Sequence, residues 1–180
     1  TQSVDTTVTL VLPIASLTSG LNIVNIRSEV MGCPSVNLLD TAGVIVNPIP
    51  DSTLTISGET VCSNSVTAKV KVFNTKFGES YQAYLNNTKV GNAVTSAGGT
   101  VILEIPVSVL STGLNVISVK ANIASCVEVS LKDTATVIVN KLPSDLLQVQ
   151  GDTVCVNSIS ASILVKGTNK GVFYQAYENT

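Results

Sequence analysis

Histidine and tryptophan are absent from this 180-residue chain, methionine occurs once, and aromatic residues make up only 4%. Without histidine there is no imidazole base to activate a serine or cysteine, and no zinc site built on His ligands. Without tryptophan, the buried indole of antibody domains is excluded whatever the fold. Charge is scarce too, with 10 Lys and Arg against 12 Asp and Glu, 12% of residues in all. The basic residues are scattered, so no stripe exists to neutralise phosphates, and nucleic acid is not expected as a partner. The carboxylates are dispersed and lack aromatic walls, which argues against a glycosidase pair. No phosphate-binding loop or dinucleotide glycine fingerprint occurs. We therefore expect no enzyme, no cofactor, and no catalytic or metal-binding residue.

Long apolar runs are also missing. The stretch VTLVLPIASL (8–17) is broken by Thr9 and Pro13 and falls far short of the roughly 20 residues a helix needs to cross a bilayer, so no membrane insertion is expected. No initiator Met, basic n-region or cleavage site opens the chain, and the expectation is a mature segment or a piece of something longer.

What is present is a repeat. Shifting the chain by 93 residues brings Cys33 onto Cys126 and Cys62 onto Cys155 without a gap. LTSGLN (17–22) falls on LSTGLN (110–115), GETVCSNS (58–65) on GDTVCVNS (151–158), and YQAY (81–84) on YQAY (174–177). About 36 of the 87 overlapping pairs are identical. Self-similarity at a fixed period marks a tandem array. NPIPDS (47–52) and NKLPSD (140–145) follow long apolar strands and read as linkers. The expected organisation is the second half of a unit at 1–50, a complete unit at 51–143, and the first half of the next at 144–180.

Within the complete unit the pattern alternates with period two, and no segment of useful length has helical period. Leu54 and Ile56 begin a first strand, and Val66, Ala68, Val70 and Val72 alternate with Thr67, Lys69 and Lys71. TKVGNAV reads as a short edge strand, Val101, Leu103 and Ile105 face one way, and Ile117, Val119 and Ala121 alternate with polar neighbours. A last long strand is expected from Val127 to Val139. Seven short strands in about 93 residues predict an all-β, immunoglobulin-like β-sandwich in tandem repeats.

The four cysteines leave two repeat-symmetric schemes, Cys62–Cys126 within a unit, or Cys33–Cys62 with Cys126–Cys155 across unit boundaries, besides free thiols. We take Cys62–Cys126 as the expected pair, because closing so long a loop contributes about 4 kcal/mol in the chain-entropy model. Cys33 and Cys155 then stand at the equivalent half-unit positions with partners outside the chain. All aromatics fall in one repeated segment. Tyr81 and Tyr84, three apart on a strand, should point to opposite faces, one in the core and one at the surface. With Tyr174 and Tyr177 they are candidates for an interface, the alternative being packing at the sandwich end. Asp40 and Asp133 recur at one repeat position, as do Glu59 and Asp152; one acid per strand reads as a turn or cap residue more readily than as a calcium site. NNT (86–88) fits an N-glycosylation pattern.

The order G-(E/D)-T-V-C, YQAY, L-x-x-G-L-N, a second Cys and a closing T-A-x-V-I-V-N resembles the bacterial Ig-like repeats of giant surface adhesins of Bacteroidota. These include gliding adhesins and filamentous appendages exported by the type IX system. The resemblance covers the whole chain and implies a secreted protein at the bacterial cell surface, serving as a structural or adhesive stalk or fibre. The expected partners are neighbouring repeats of the same protein: half-units with unpaired strand edges call for completion by adjoining sequence along the chain or, through strand exchange, by parallel copies in a homo-oligomeric fibre. The alternative is a repeat domain that itself grips a glycan or a cell surface.

Overall fold

The computed structural model describes residues 7–124 and 126–178. Among the described residues every regular element is a strand, apart from two single 3-10 turns at Ile14–Ser16 and Val107–Val109. In chain order they are β1 (Gly20–Ser28), β2 (Val36–Val46), β3 (Ile56–Ser57), β4 (Thr60–Cys62), β5 (Thr67–Thr75) and β6 (Glu79–Leu85). Then follow β7 (Thr88–Thr95), β8 (Gly99–Pro106), β9 (Gly113–Ile123), β10 (Val129–Asn140), β11 (Gln148–Gln150) and β12 (Leu164–Lys166).

The middle of the chain is a two-sheet sandwich. One sheet has the order β3-β5-β8 and the other β4-β10-β9-β6-β7. Between them lies a continuous core, including Val70, Val72, Leu103, Ile105, Ile117, Val119 and Val137, drawn only from residues 54–139. The period-two pattern explains it: in β8 the inward Val101, Leu103 and Ile105 are buried while Ile102 and Glu104 stay exposed. The all-β immunoglobulin-like reading holds, with β4 lying parallel to β10 along one edge.

Three details differ from expectation. The first strand is split into β3 and β4, which join different sheets, so the region has eight strands. The switch is made at Gly58, where a Cβ would meet the carbonyl oxygen of Thr136 on β10. Val66 is 85% exposed rather than inward, because β5 begins one residue later and the carbonyl of Val66 is used by the Val107 N–H. The last strand starts at Val129, two residues later than expected.

Outside the sandwich, β1 and β2 form an antiparallel hairpin, and β11 pairs with β12. Their registers are those of the sandwich displaced by 93 residues. Gly20 faces Val46 as Gly113 faces Val139, and Val149 faces Val165 as Ile56 faces Val72. Asn22 and Asn115 build the same loop: each amide oxygen accepts the N–H of Thr18 or Ser111, and each amide nitrogen donates back to that residue's carbonyl. Identical residues at identical offsets thus fold the same local geometry, though the flanking strands lack the opposite sheet.

Candidate functional site

The sandwich is traversed lengthwise. At its leading pole the carbonyl of Ser52 accepts the Lys132 N–H near the start of β10, and Cys126 lies in the loop before that strand. At the trailing pole Cys62 stands opposite Asn140, the last residue of β10, and Ser63 N–H donates to the Asn140 carbonyl. The eleven steps of β10 separate the poles by about 35 Å. The chain therefore arrives at one end and leaves at the other.

This placement corrects the Cys62–Cys126 pairing. A disulfide holds its two Cα atoms within about 7 Å, whereas these residues lie at opposite ends of β10. All four cysteines are free thiols, Cys126 half-buried and the other three exposed. Loop-closure entropy favoured the long loop, but it carries no information about which pole each cysteine occupies.

The two tyrosines of the sandwich take opposite faces, but the outward one is not left at the surface. Tyr81 is in the core and Tyr84 faces away from it, yet Tyr84 is only 4% exposed. Its outer face is covered by Lys120, whose Nζ sits 4.5 Å from the ring centroid, while its hydroxyl donates to Glu128 at 3.3 Å. Lys120 and Glu128 are themselves an ion pair at 3.8 Å. In the sandwich neither tyrosine is free for an interface, whereas Tyr174 and Tyr177 are exposed. Tyr81 donates its hydroxyl to the buried carboxylate of Glu79. Burial first, and the Glu79 contact second, push its phenol above the usual range. Glu79 itself was not singled out from the sequence, since its counterpart Val172 breaks the repeat at that position.

The recurring acids have structural duties. Asp133 accepts the N–H groups of Ile56 and Thr134, tying β3 to β10, and Glu59 accepts the N–H of Lys69. Asp40 and Asp152 accept the N–H of the residue that follows each. Among the described residues no group of three or more His, Cys, Asp or Glu could hold a metal ion. The NNT segment forms the exposed two-residue turn between β6 and β7, with positive φ at Asn86 and Asn87 as a tight hairpin of that type requires.

Two hollows stand out. One, of about 710 Å³, lies at the trailing pole between Cys62, Asn140, Leu142 and Pro143 on one side and Asn169 to Phe173 on the other. The second, of about 610 Å³, is an open apolar groove among Leu147, Val149, Ile163, Val165, Tyr174 and Tyr177. The counterparts of these six residues, Leu54, Ile56, Val70, Val72, Tyr81 and Tyr84, are all buried in the sandwich. All but Tyr84, which faces outward, belong to the core, so the groove is largely a core site with one wall missing. No helix among the described residues is long and apolar enough to cross a membrane.

No family model matches this chain, and no curated protein matches it. Among solved structures it is similar to one described as a Ca2+-stabilized adhesin that helps an Antarctic bacterium reach out and bind ice. The TM-score is 0.42 at 13% sequence identity, over 74% of this chain and 34% of that one. This chain thus spans about a third of that protein's length.

Proposed function

We propose that the chain is a structural or adhesive repeat segment of a very large extracellular bacterial surface protein, forming its stalk or fibre. In this reading residues 51–143 are one complete unit, 1–50 the second half of the unit before it, and 144–180 the first half of the unit after it. The observation that carries it is the arrival of the chain at one pole and its departure at the other, with β10 running nearly the whole length between. Units so connected add their lengths, each by about 35 Å or more. Their function is reach and stiffness, and neither requires a catalytic centre. The sequence pattern shared with type IX-exported adhesins of Bacteroidota supports a place at the cell surface.

Small-angle scattering and a glycan array on the 180-residue chain test the proposal together. A stalk segment gives an elongated particle and no specific glycan binding. A compact particle, or tight binding to one glycan class, would transfer the function to the repeats themselves as a binding module.

A further inference from the structure

The outer face of the five-stranded sheet carries an apolar triple that the core does not use. Leu114 and Val116 on β9 and Ile138 on β10 are exposed, alternating with the inward Asn115, Ile117, Val137 and Val139. The solvated face of an antiparallel sheet is ordinarily polar. Leu114 stands directly opposite Ile138, with Val116 next along the same face. The triple recurs one period earlier as Leu21, Ile23 and Ile45, with Leu21 opposite Ile45, and all three are again exposed. These positions stay apolar in both copies, whereas other exposed positions of the same strands change character, Thr136 against Gly43 and Lys132 against Leu39. The exposure owes nothing to a missing sheet, since the complete sandwich shows it.

The surroundings narrow what can cover this face. Thr60 lies beside Ile138, Thr136 beside Val116, and Thr134 beside Ser118, so the rim is hydroxyl and uncharged. Hydroxyls donate and accept alike, and a copy of the same face meets them without like-charge repulsion. A sugar ring needs an open aromatic surface, but Tyr84, the aromatic of this face, is covered by Lys120. A lipid surface calls for basic residues at the rim, and among the described residues none is paired beside the triple.

We propose that this face packs against the same face of a second copy, so that stalks lie side by side. Two sheet faces meet about 10 Å apart with their strands crossed by about 30°. A two-fold contact of this kind sets triple against triple and is self-complementary. The patch of one unit falls well short of the roughly 800 Å² per partner that a stable interface buries. Each contact is therefore weak, and copies of equal period add one contact per unit, which turns weak pairing into firm lateral bundling. This deepens the fibre reading and rests on it only for units in series.

Amide NMR spectra of the full chain at about 0.05 and about 2 mM provide the test, since so small a contact has an expected Kd of about 0.1 to 1 mM. Concentration-dependent shifts should cluster at residues 114, 116 and 138 and at 21, 23 and 45. Mixed isotope-labelled and unlabelled copies should give methyl contacts between those residues of different chains. The double variant Ile23→Lys, Val116→Lys should lose the concentration dependence, and so should Ile23→Glu, Val116→Glu, whereas an equimolar mixture of the two should regain it. Val66→Lys, which removes a still more exposed apolar side chain outside this face, should associate as wild type does. An unchanged thermal transition of the 54–139 core shows that each variant is folded. A wild type that stays monomeric at the higher concentration, shifts centred on other residues, or a lysine variant that associates like wild type would overturn the proposal. Capture of wild type by phosphatidylcholine vesicles without self-association would give the face to a lipid surface and overturn it equally. A monomer would still leave standing a stalk of single chains.

Discussion

Leu103 is 1% exposed and Leu10, its counterpart 93 residues earlier, is 46% exposed; Tyr81 is 0% exposed and Tyr174 is 43%. The residues are the same in each pair, and each sits at the same position of the repeat. In the middle of the chain both sheets are present, while each flank carries strands from only part of the set. Local geometry survives this loss, as the matching registers of β1–β2 and β9–β10 show. Burial does not. A strand's hydrogen-bond register is encoded in its own hairpin, whereas its contribution to stability comes from the sheet laid across it.

The comparison can be broken most forcefully at the core. Leu103→Ala should cost about 3 to 4 kcal/mol in chemical denaturation of the sandwich, by lost transfer energy plus a cavity. In a dilute monomer, Leu10→Ala should cost less than about 0.5 kcal/mol, as expected for a side chain with little to lose.

Gly58 and Gly151 sharpen the same contrast on the backbone. A Cβ at Gly58 meets the Thr136 carbonyl, whereas one at Gly151 meets nothing within 4 Å. Gly58→Ala should destabilise by about 2 kcal/mol or more through overpacking, and Gly151→Ala should leave the unfolding midpoint unmoved.

Tyr81→Phe should cost about 1 to 3 kcal/mol, because it leaves the buried Glu79 carboxylate without its phenol donor. Tyr174→Phe should cost nothing measurable in the monomer. The folded phenol of Tyr81 holds its proton more tightly than the unfolded one, whose ordinary value is 10.0. The stability this confers is whole below pH 10 and declines as pH rises beyond it. Denaturation midpoints compared at about pH 8 and about pH 11 should fall less for Tyr81→Phe than for wild type. The smallest effect belongs to Lys120→Ala, which uncovers the Tyr84 ring and breaks a part-exposed ion pair, for about 0.5 to 1 kcal/mol.

Much of the sandwich was legible from alternation alone, since inward Val, Leu and Ile at every second position have one sensible place to go. The edge role of 88–95 was read from a short strand ending at the SAGG turn, and β7 is an edge strand. What escaped depended on three-dimensional proximity. The split at Gly58 needed the approach of β10, and the burial of Tyr84 needed Lys120 from the neighbouring β9. The cysteine pairing failed for the same reason: spacing counts residues along the chain, and the two poles are set by which strands lie side by side. Glu79 gave no signal, being a lone acid at the start of β6 where the repeat has Val172. Asn115, by contrast, was visible within L-x-x-G-L-N, and a side chain that satisfies a turn explains why the motif ends in asparagine.

Amide hydrogen exchange on the dilute, proven monomer bears most directly on the central claim that completeness of the two sheets, not the repeat sequence itself, confers stability. Residues 54–139 should exchange slowly and cooperatively. Residues 7–46 and 148–178 should exchange within the fast, locally fraying regime despite their identical motifs. Equal protection of all three regions in that monomer would contradict the account.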